Sequence, residues 1–322
     1  CRVKTMTLLM AMLASFFTVV ELNCENLFDC RHDSLREDTE FLPTSYRHWT
    51  HYRYWRKLHR VGQEIMACGA TPDGLSVPDL VALVEVENDS VLFDLTRRSV
   101  LRASRYEYVM THSPDPRGMD VALLYSPFSF RLLDHHSIRI PPQRGQRPPR
   151  DILYAKGQTL ADDTLHVFVV HFPSRSGGQH ETAAYRKAAA ERLMVSVDSI
   201  RRLVPDANIL IAGDLNDTGK DPSVRMLVRR GMHDMAAEAR GTHGAKATYK
   251  YRGQWEMIDH ILGCGPLAER LADTAVGDFP FLLEPDDRYG GIRPKRTYIG
   301  MRYHDGFSDH LPLIARFRTD AL

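Results

Sequence analysis

Apolar residues along this chain alternate between two spacings. Phe17-Thr-Val-Val-Glu-Leu-Asn23 is β-branched and apolar, which predicts a buried strand. Over residues 51–68, Trp55, Leu58, Val61 and Ile65 recur at helical spacing among Arg and Lys, which predicts an amphipathic helix. Pro72-Asp-Gly breaks the chain, and Asp79-Leu-Val-Ala-Leu-Val-Glu85 predicts a second buried strand. Residues 91–101 predict another helix and residues 120–125 a third strand. A strand over 165–170 ends at His171-Phe-Pro-Ser-Arg175, and Tyr185, Ala189, Leu193, Val197 and Ile200 mark a long amphipathic helix. The wholly apolar 208–212 runs into Gly213-Asp214-Leu-Asn216, and 257–263 and 311–317 predict two more strands. Helices alternate with strands over the first two thirds, and the end is rich in loops. No linker, repeat or low-complexity tract divides the chain, so residues 17–318 read as a single α/β domain of many strands.

Composition narrows the class. At 322 residues, 43% hydrophobic and 26% charged, the chain is an ordinary globular protein rather than a disordered, collagen-like or disulfide-scaffold one. Its 42 basic and 41 acidic residues cancel, whereas a protein that coats nucleic acid without selectivity is normally more basic. The cysteines (Cys1, Cys24, Cys30, Cys68, Cys264) form no CxxC, so neither a disulfide framework nor a thiolate metal site is indicated. Residues 5–16 are mostly apolar behind Arg2 and Lys4. Residues 1–16 therefore read either as a signal-like extension, which implies a periplasmic or secreted protein, or as the approach to a buried strand in a cytoplasmic one. No other segment is long and apolar enough to cross a membrane.

The residues that invite chemistry fall at the ends of predicted strands. Asn23 and Glu25 follow the first and point to one side; Glu85 ends the second. His171, Asp214 with Asn216, Asp259-His260 and Ser308-Asp309-His310 occupy the other ends. Carboxylates and amides are hard oxygen donors that suit Mg²⁺, Mn²⁺ or Ca²⁺. Taken singly, each motif is commonplace: a GDxN after a strand is often a turn or helix cap. Residues 139–150, with four Pro, four Arg and no acid, predict an exposed, solvated loop, with contact to an anionic ligand as the alternative reading. The basic stretch 288–304 (Arg288, Arg293, Lys295, Arg296, Arg302) adjoins Ser308-Asp309-His310 and is the best candidate for gripping the remote part of an anionic substrate. Tyr249 to Trp255 reads equally as a platform for a base or sugar and as an aromatic hairpin packed on the sheet. Arg117 and Arg175 flank motifs and read equally as phosphate clamps and as surface ion-pair partners.

The ordered set is far more specific than its parts. N-x-E-N-L-F-D (23–29), P-D-L-V-A-L-V-E-V-E-N (78–88), R-G-M-D-V-A-L-L-Y (117–125), H-F-P-S-R (171–175), G-D-L-N-D (213–217), I-D-H-I (258–261) and S-D-H-L-P-L (308–313) occur in this order. The chain so resembles the endonuclease/exonuclease/phosphatase superfamily, which includes deoxyribonuclease I, exonuclease III-type nucleases, inositol-polyphosphate 5-phosphatases and neutral sphingomyelinases. The resemblance implies a deoxyribonuclease I-like, four-layer α/β/β/α sandwich of two packed mixed sheets. It implies a metal site of Glu85, Glu25, Asn23 and Asp309, and phosphate contacts from Asn23, Asn216 and His171. Its catalytic set is His171 as acid, Asp214 on the attacking water, Asn216, and His310 paired with Asp259. Glu25 stands where the repair nucleases carry Asp, which makes its metal contact indirect. The activity implied is Mg²⁺-dependent hydrolysis of a phosphoester, with Mn²⁺ or Ca²⁺ as substitutes. Nucleic acid is the first substrate class and a small-molecule or lipid phosphoester the second. A non-catalytic binding module on the same scaffold would be expected to have lost Glu85, Asp214, Asp259 or His310, and all are present. The chain is expected to act as a monomer, with no stable protein partner indicated.

Overall fold

A computed structural model describes residues 16–71, 74–143 and 146–319. The signal-like segment therefore lies almost wholly outside the described residues. Two mixed sheets are built around two parallel strand pairs. In the first, β1 (Phe16–Leu27) runs parallel to β2 (Leu80–Val86), with the crossover made by α1 (His51–Cys68). Further along come β3 (Glu107–Met110), β4 (Asp120–Tyr125), β5 (Phe130–Ile138), β6 (Ile152–Thr159) and β7 (Thr164–His171). In the second sheet β7 runs parallel to β8 (Asn208–Asp214) across α2 (Gln179–Leu203). The remaining strands are β9 (His233–Asp234), β10 (Asp259–Cys264), β11 (Leu271–Val276) and β12 (Leu313–Arg318). The strand orders are β11-β12-β1-β2-β4-β3 and β9-β10-β8-β7-β6-β5. A parallel pair cannot be closed by a tight turn, so each needs a helix across one face of its sheet.

Side-chain parity then makes the layers. Val19 on β1, Ala82 and Val84 on β2, Val167 and Val169 on β7, and Leu210 and Ala212 on β8 face one another in a single inter-sheet core. The alternate residues, Val20, Leu22, Val81 and Leu83, pack against Leu58, Val61 and Ile65 of α1. Phe168, Val170, Ile209 and Ile211 pack against Ala189, Leu193 and Val197 of α2. Helices covering the outer faces of two stacked sheets give the four-layer α/β/β/α sandwich expected from the motifs.

Several local expectations change. The helix expected over 91–101 is interrupted. A short helix over Asp89–Phe93 passes into a π turn, Ser99 turns extended, and its hydroxyl accepts from Leu101 N at 3.1 Å to start a 3₁₀ turn. A serine that bonds its own backbone competes with the helix ladder. Strand β5 escaped the sequence reading because it is a polar edge strand, largely exposed through its middle, and the buried β6 beside it was not read either. The 139–150 loop is not wholly solvated: Arg150 is 4% exposed and reaches into the molecule.

Among the described residues, Glu21 between the sheets and Glu64 on α1 are carboxylates buried without a hydrogen-bond partner for either oxygen. Burial pushes the Glu64 carboxyl up from 4.5 to about 8, against the pull of Lys57. A folded pKa raised in this way favours the fold below the unfolded value, and that contribution is lost as pH rises through about 8. Glu64→Met is therefore expected to stabilise the protein by about 1–3 kcal/mol at pH 7 in urea titration. The gain should be smallest below pH 4.5 and level off above about pH 8.

Candidate active site

Asn23 on β1, His171 ending β7, Asp214 ending β8 and Asp259 opening β10 all share the inward parity of the inter-sheet core. At this end of the sandwich the core gives way to an open cavity of about 730 Å³. On β7 and β8 the inward row changes from apolar to polar at its last position, and Asn23, two residues beyond the buried Glu21 of β1, and Asp259 at the start of β10 meet them there. Gly213 is required beside Asp214: at φ +151°, an added Cβ would lie 1.8 Å from the Val170 carbonyl oxygen of the paired strand. Glu25, Asn26, Glu85 and Asn216 all adopt left-handed backbone conformations, uncommon for residues with side chains. These bends interrupt the β1–β2 and β2–β4 registers, which lets Glu85 leave its ladder and line the cavity.

The strongest pair in the cavity is His310 with Asp259. His310 Nδ1 lies 2.7 Å from Asp259 Oδ2, which also accepts from the Thr248 hydroxyl at 2.5 Å. Burial opposes charge on the imidazole, but Asp259, Asp309 and Asp214 outweigh it and raise its pKa well above the usual value. His310 is thus an imidazolium with Nδ1–H committed to Asp259, leaving Nε2–H for a ligand. Ser308 anchors this end: its hydroxyl donates to Asn23 O at 2.6 Å and accepts from His310 N at 3.1 Å.

Asp214 sits beside it. Its Oδ1 accepts from Asn216 N at 2.7 Å and its Oδ2 from Asn23 Nδ2 at 3.2 Å. Burial and the neighbouring Asp259 push its carboxyl up to about 7, with His310 and the Asn216 amide pulling the other way. Such a carboxylate is a far better proton acceptor near neutrality than an exposed one. Asn216 itself donates to Phe172 O at 3.2 Å, and Arg175 holds the Asn216 carbonyl at 2.6 Å while pairing with Glu256. Arg175 therefore fixes the 214–217 turn. Asp217 is held by the fully buried Arg186 at 2.6 Å and by Ser223. His260 bridges Asp234 and the Asp217 carbonyl, a structural part.

His171 ends β7 beside Asp214 and Glu85. Burial, Arg150 and Arg117 lower its pKa well below the usual value, so it is neutral. Its Nε2 lies 3.3 Å from Arg150 Nη2, 3.7 Å from Asp214 Oδ2 and 3.9 Å from Glu85 Oε1. The Arg150 guanidinium and the Glu85 and Asp214 carboxylates thus surround one ring nitrogen. The cation at this wall is Arg150, whose Nε has no hydrogen-bond partner among the described residues. Sequence reasoning missed Arg150 because a Pro/Arg-rich loop offers no sign of which Arg turns inward. Its place immediately before the apolar 152–155 of β6 was the one available clue.

Among the implied metal donors, Glu85 gives Oε2 to Asn26 N at 2.9 Å and presents its other oxygen to the cavity wall near His171. Asn23 Oδ1 accepts from Glu25 N at 2.9 Å and, as an amide oxygen, keeps a second lone pair. Asp309 Oδ2 is taken by Arg296 Nη2 at 2.5 Å. The Glu25 carboxylate is committed elsewhere, accepting from Thr297 N at 2.6 Å and Tyr298 N at 3.4 Å. The hard oxygen donors of Asn23, Glu85 and Asp309 fit a divalent cation. One Asp214, Asp259 and His310 ligand atom each lie within 4.8 Å of one another, but His310 is itself the cation of that cluster. The ring of Tyr249 lies 4.7 Å from His310, and the 249–256 hairpin carries Tyr251 to the cavity rim.

A model of the Endonuclease/Exonuclease/phosphatase family matches residues 18–319, nearly the whole described chain. The chain belongs to that family. Among solved structures, family proteins share its fold. The endonuclease/exonuclease/phosphatase of Bacteroides vulgatus superposes with a TM-score of 0.59 at 15% identity, covering 95% of this chain and 100% of that one. Truncated TDP2 from Caenorhabditis elegans gives 0.57 at 19% identity, with 94% and 98% covered. The mannosyl-6-phosphatase Bt3783 of Bacteroides thetaiotaomicron gives 0.60 at 14% identity, with 93% and 98% covered. No curated protein matches at a significant level. The two-sheet family architecture thus carries these side chains at the mouth of its inter-sheet cleft.

The charge on His310 is expected to depend on Asp259. In Asp259→Asn, imidazole ¹⁵N shifts should show His310 neutral at a pH where the parent holds it protonated, with turnover reduced about 10²–10⁴-fold. Unchanged ¹⁵N shifts would contradict the assignment.

Proposed function

We propose that this protein is a divalent-metal-dependent phosphoesterase that hydrolyses a P–O bond by in-line attack of water. The observation that carries the reading is the facing arrangement of an imidazolium, His310 held by Asp259, and a carboxylate, Asp214, poised near neutrality. Phosphoryl transfer needs a proton acceptor for the attacking water and positive charge on the phosphoryl oxygens. Asp214, oriented by the Asn216 amide and by Asn23, accepts the proton of the attacking water. His310 donates from Nε2 to a phosphoryl oxygen, and Arg150 places a guanidinium at the opposite wall. His171, with its Nε2 3.3 Å from Arg150 Nη2, holds that guanidinium in position. Asn23, Glu85 and Asp309 would hold a divalent ion such as Mg²⁺, which when bound neutralises charge on the phosphate and its leaving oxygen.

Where the basic groups lie favours a compact phosphoester as substrate. Arg150 and Arg117, which share Asp115, line the cavity together with the Asp259-held His310. Outside it, Arg56 and Arg60 pair with Asp305, Arg293 with Glu284 and Arg147 with Glu37. Within the 288–304 stretch itself Arg293 pairs with Glu284 and Arg296 with Asp309, so it offers less free charge than its composition suggests. A phosphodiester in nucleic acid is the second reading, supported by exposed Tyr251 with the Arg252 guanidinium 5.2 Å from its ring centre.

Assay with Mg²⁺, Mn²⁺ or EDTA against p-nitrophenyl phosphate, bis-p-nitrophenyl phosphate and plasmid DNA distinguishes these. Metal-dependent turnover of the small esters without nicking is expected, with kcat/KM falling as pH drops through about 7, where Asp214 takes up its proton. Asp214→Ala should abolish it. Nicking lost in the same variant would establish the nuclease reading, and activity retained in that variant would refute both.

A further inference from the structure

Arg150 is sealed into the cavity wall with its guanidinium incompletely paired. The residue is 4% exposed, yet it lines the cavity, with Nη2 3.3 Å from His171 Nε2. Its Nε lies 3.7 Å from Asp115 Oδ2, too far for a hydrogen bond, and finds no other partner among the described residues. Asp115 is already engaged: Oδ1 accepts from Arg117 N at 2.9 Å and Oδ2 from Arg117 Nη2 at 3.3 Å. Two guanidiniums therefore share one carboxylate, and positive charge is left over at this wall. The backbone that carries Arg150 is held without its side chain. Asp151 N donates to the Ser113 hydroxyl at 2.9 Å, Ser113 is bound to Asp120, and Arg139 pairs with Asp151. Ser113, Asp115 and Asp151 are all buried, so the wall around the guanidinium is closed.

We propose that Arg150, supported by Arg117, selects a phosphomonoester dianion over a phosphodiester. The inference rests on the phosphoesterase reading above and names the substrate class of that same site. A diester presents one negative charge and two non-bridging oxygens; a monoester near neutral pH carries nearly two charges on three. His310 and a bound divalent ion account for two such oxygens. A further cation, fixed in place and incompletely paired, matches the third, and a guanidinium can take two oxygens of one phosphoryl group in parallel. Esterifying that third oxygen removes its charge and sets a carbon substituent against a closed wall. A buried donor lacking a partner is costly, so the guanidinium gains most from the ligand that pairs with it fully. Hydrolysis of such an ester, ROPO₃²⁻ with water, gives ROH and HPO₄²⁻. Inorganic phosphate keeps the same three oxygens and serves as the binding probe.

The test compares p-nitrophenyl phosphate with methyl p-nitrophenyl phosphate, which has the same leaving group and one added methyl on the third oxygen. In the full chain with Mg²⁺, kcat/KM is expected to favour the monoester. In Arg150→Met and Arg150→Gln the monoester-to-diester ratio should fall about 10–100-fold, the loss of one hydrogen bond between charged groups, and Arg150→Lys should recover part of it. A purely structural role would lower both substrates together and leave the ratio unchanged. In the parent, the Arg150 Nε–H resonance should shift on titration with inorganic phosphate and stay in place with dimethyl phosphate. That arm decides the matter if circular dichroism shows the variants unfolded. A parent that prefers the diester, a ratio unchanged in folded variants, or an Arg150 resonance indifferent to phosphate would each overturn the inference and leave the phosphoesterase reading intact. No metal-dependent turnover of either ester would overturn that reading and the inference with it.

Discussion

Everything at the active end depends on one geometric constraint, the shared parity of two parallel strand pairs. β1 with β2 and β7 with β8 each need a helix crossover, so each sheet keeps one face for its helix and gives the other to its partner sheet. The inner row is apolar for most of its length. Apart from the buried Glu21, it turns polar toward the active end, where Asn23, His171 and Asp214 emerge with Asp259 from the antiparallel neighbour. A one-residue slip in any of these strands would move its functional side chain to the helix-covered face. The register that builds the core is therefore the register that builds the site.

The electrostatics follow from that burial. Groups taken out of water change their proton affinity unless a partner compensates. Here compensation is unequal. His310 gains three nearby carboxylates and keeps its proton, whereas His171 faces Arg150 and loses it. Asp214 is neighboured by both Asp259 and His310 and is left poised near neutrality. Two histidines that look alike in sequence are driven to opposite charge states by which residues lie across the cleft. The left-handed backbones at Glu25, Asn26, Glu85 and Asn216 belong to the same economy of the site: local strain is tolerated where it aims a side chain into the cavity.

The loops completing the mouth also hold it together. Arg175 ties the Asn216 turn to Glu256, Arg186 locks Asp217, and Glu25 draws the 296–298 strap against β1. Residues flanking the catalytic motifs thus act chiefly on the backbone that carries those motifs. Arg150 and Arg117 also line the cavity itself.

The sequence by itself determined the elements that bury a continuous face. Helix α1 spans 51–68 as its periodicity predicts, β4 spans 120–125, and the 208–212 strand needs only two further residues. It also determined the family, because seven ordered motifs at strand ends are far more specific than any one of them. Segments with weak or competing local signals were not legible: β5 is a polar edge strand, and Ser99 diverts the 91–101 helix through its own hydroxyl. Tertiary structure alone decided the charge of His171, the inward turn of Arg150, and the diversion of Glu25 to the strap amides. Each depends on groups far apart in the chain, such as Glu25 and Thr297, whose approach no local pattern encodes. Hydrophobic periodicity is a property of neighbours in sequence; protonation and hydrogen bonding at this site are properties of neighbours in space.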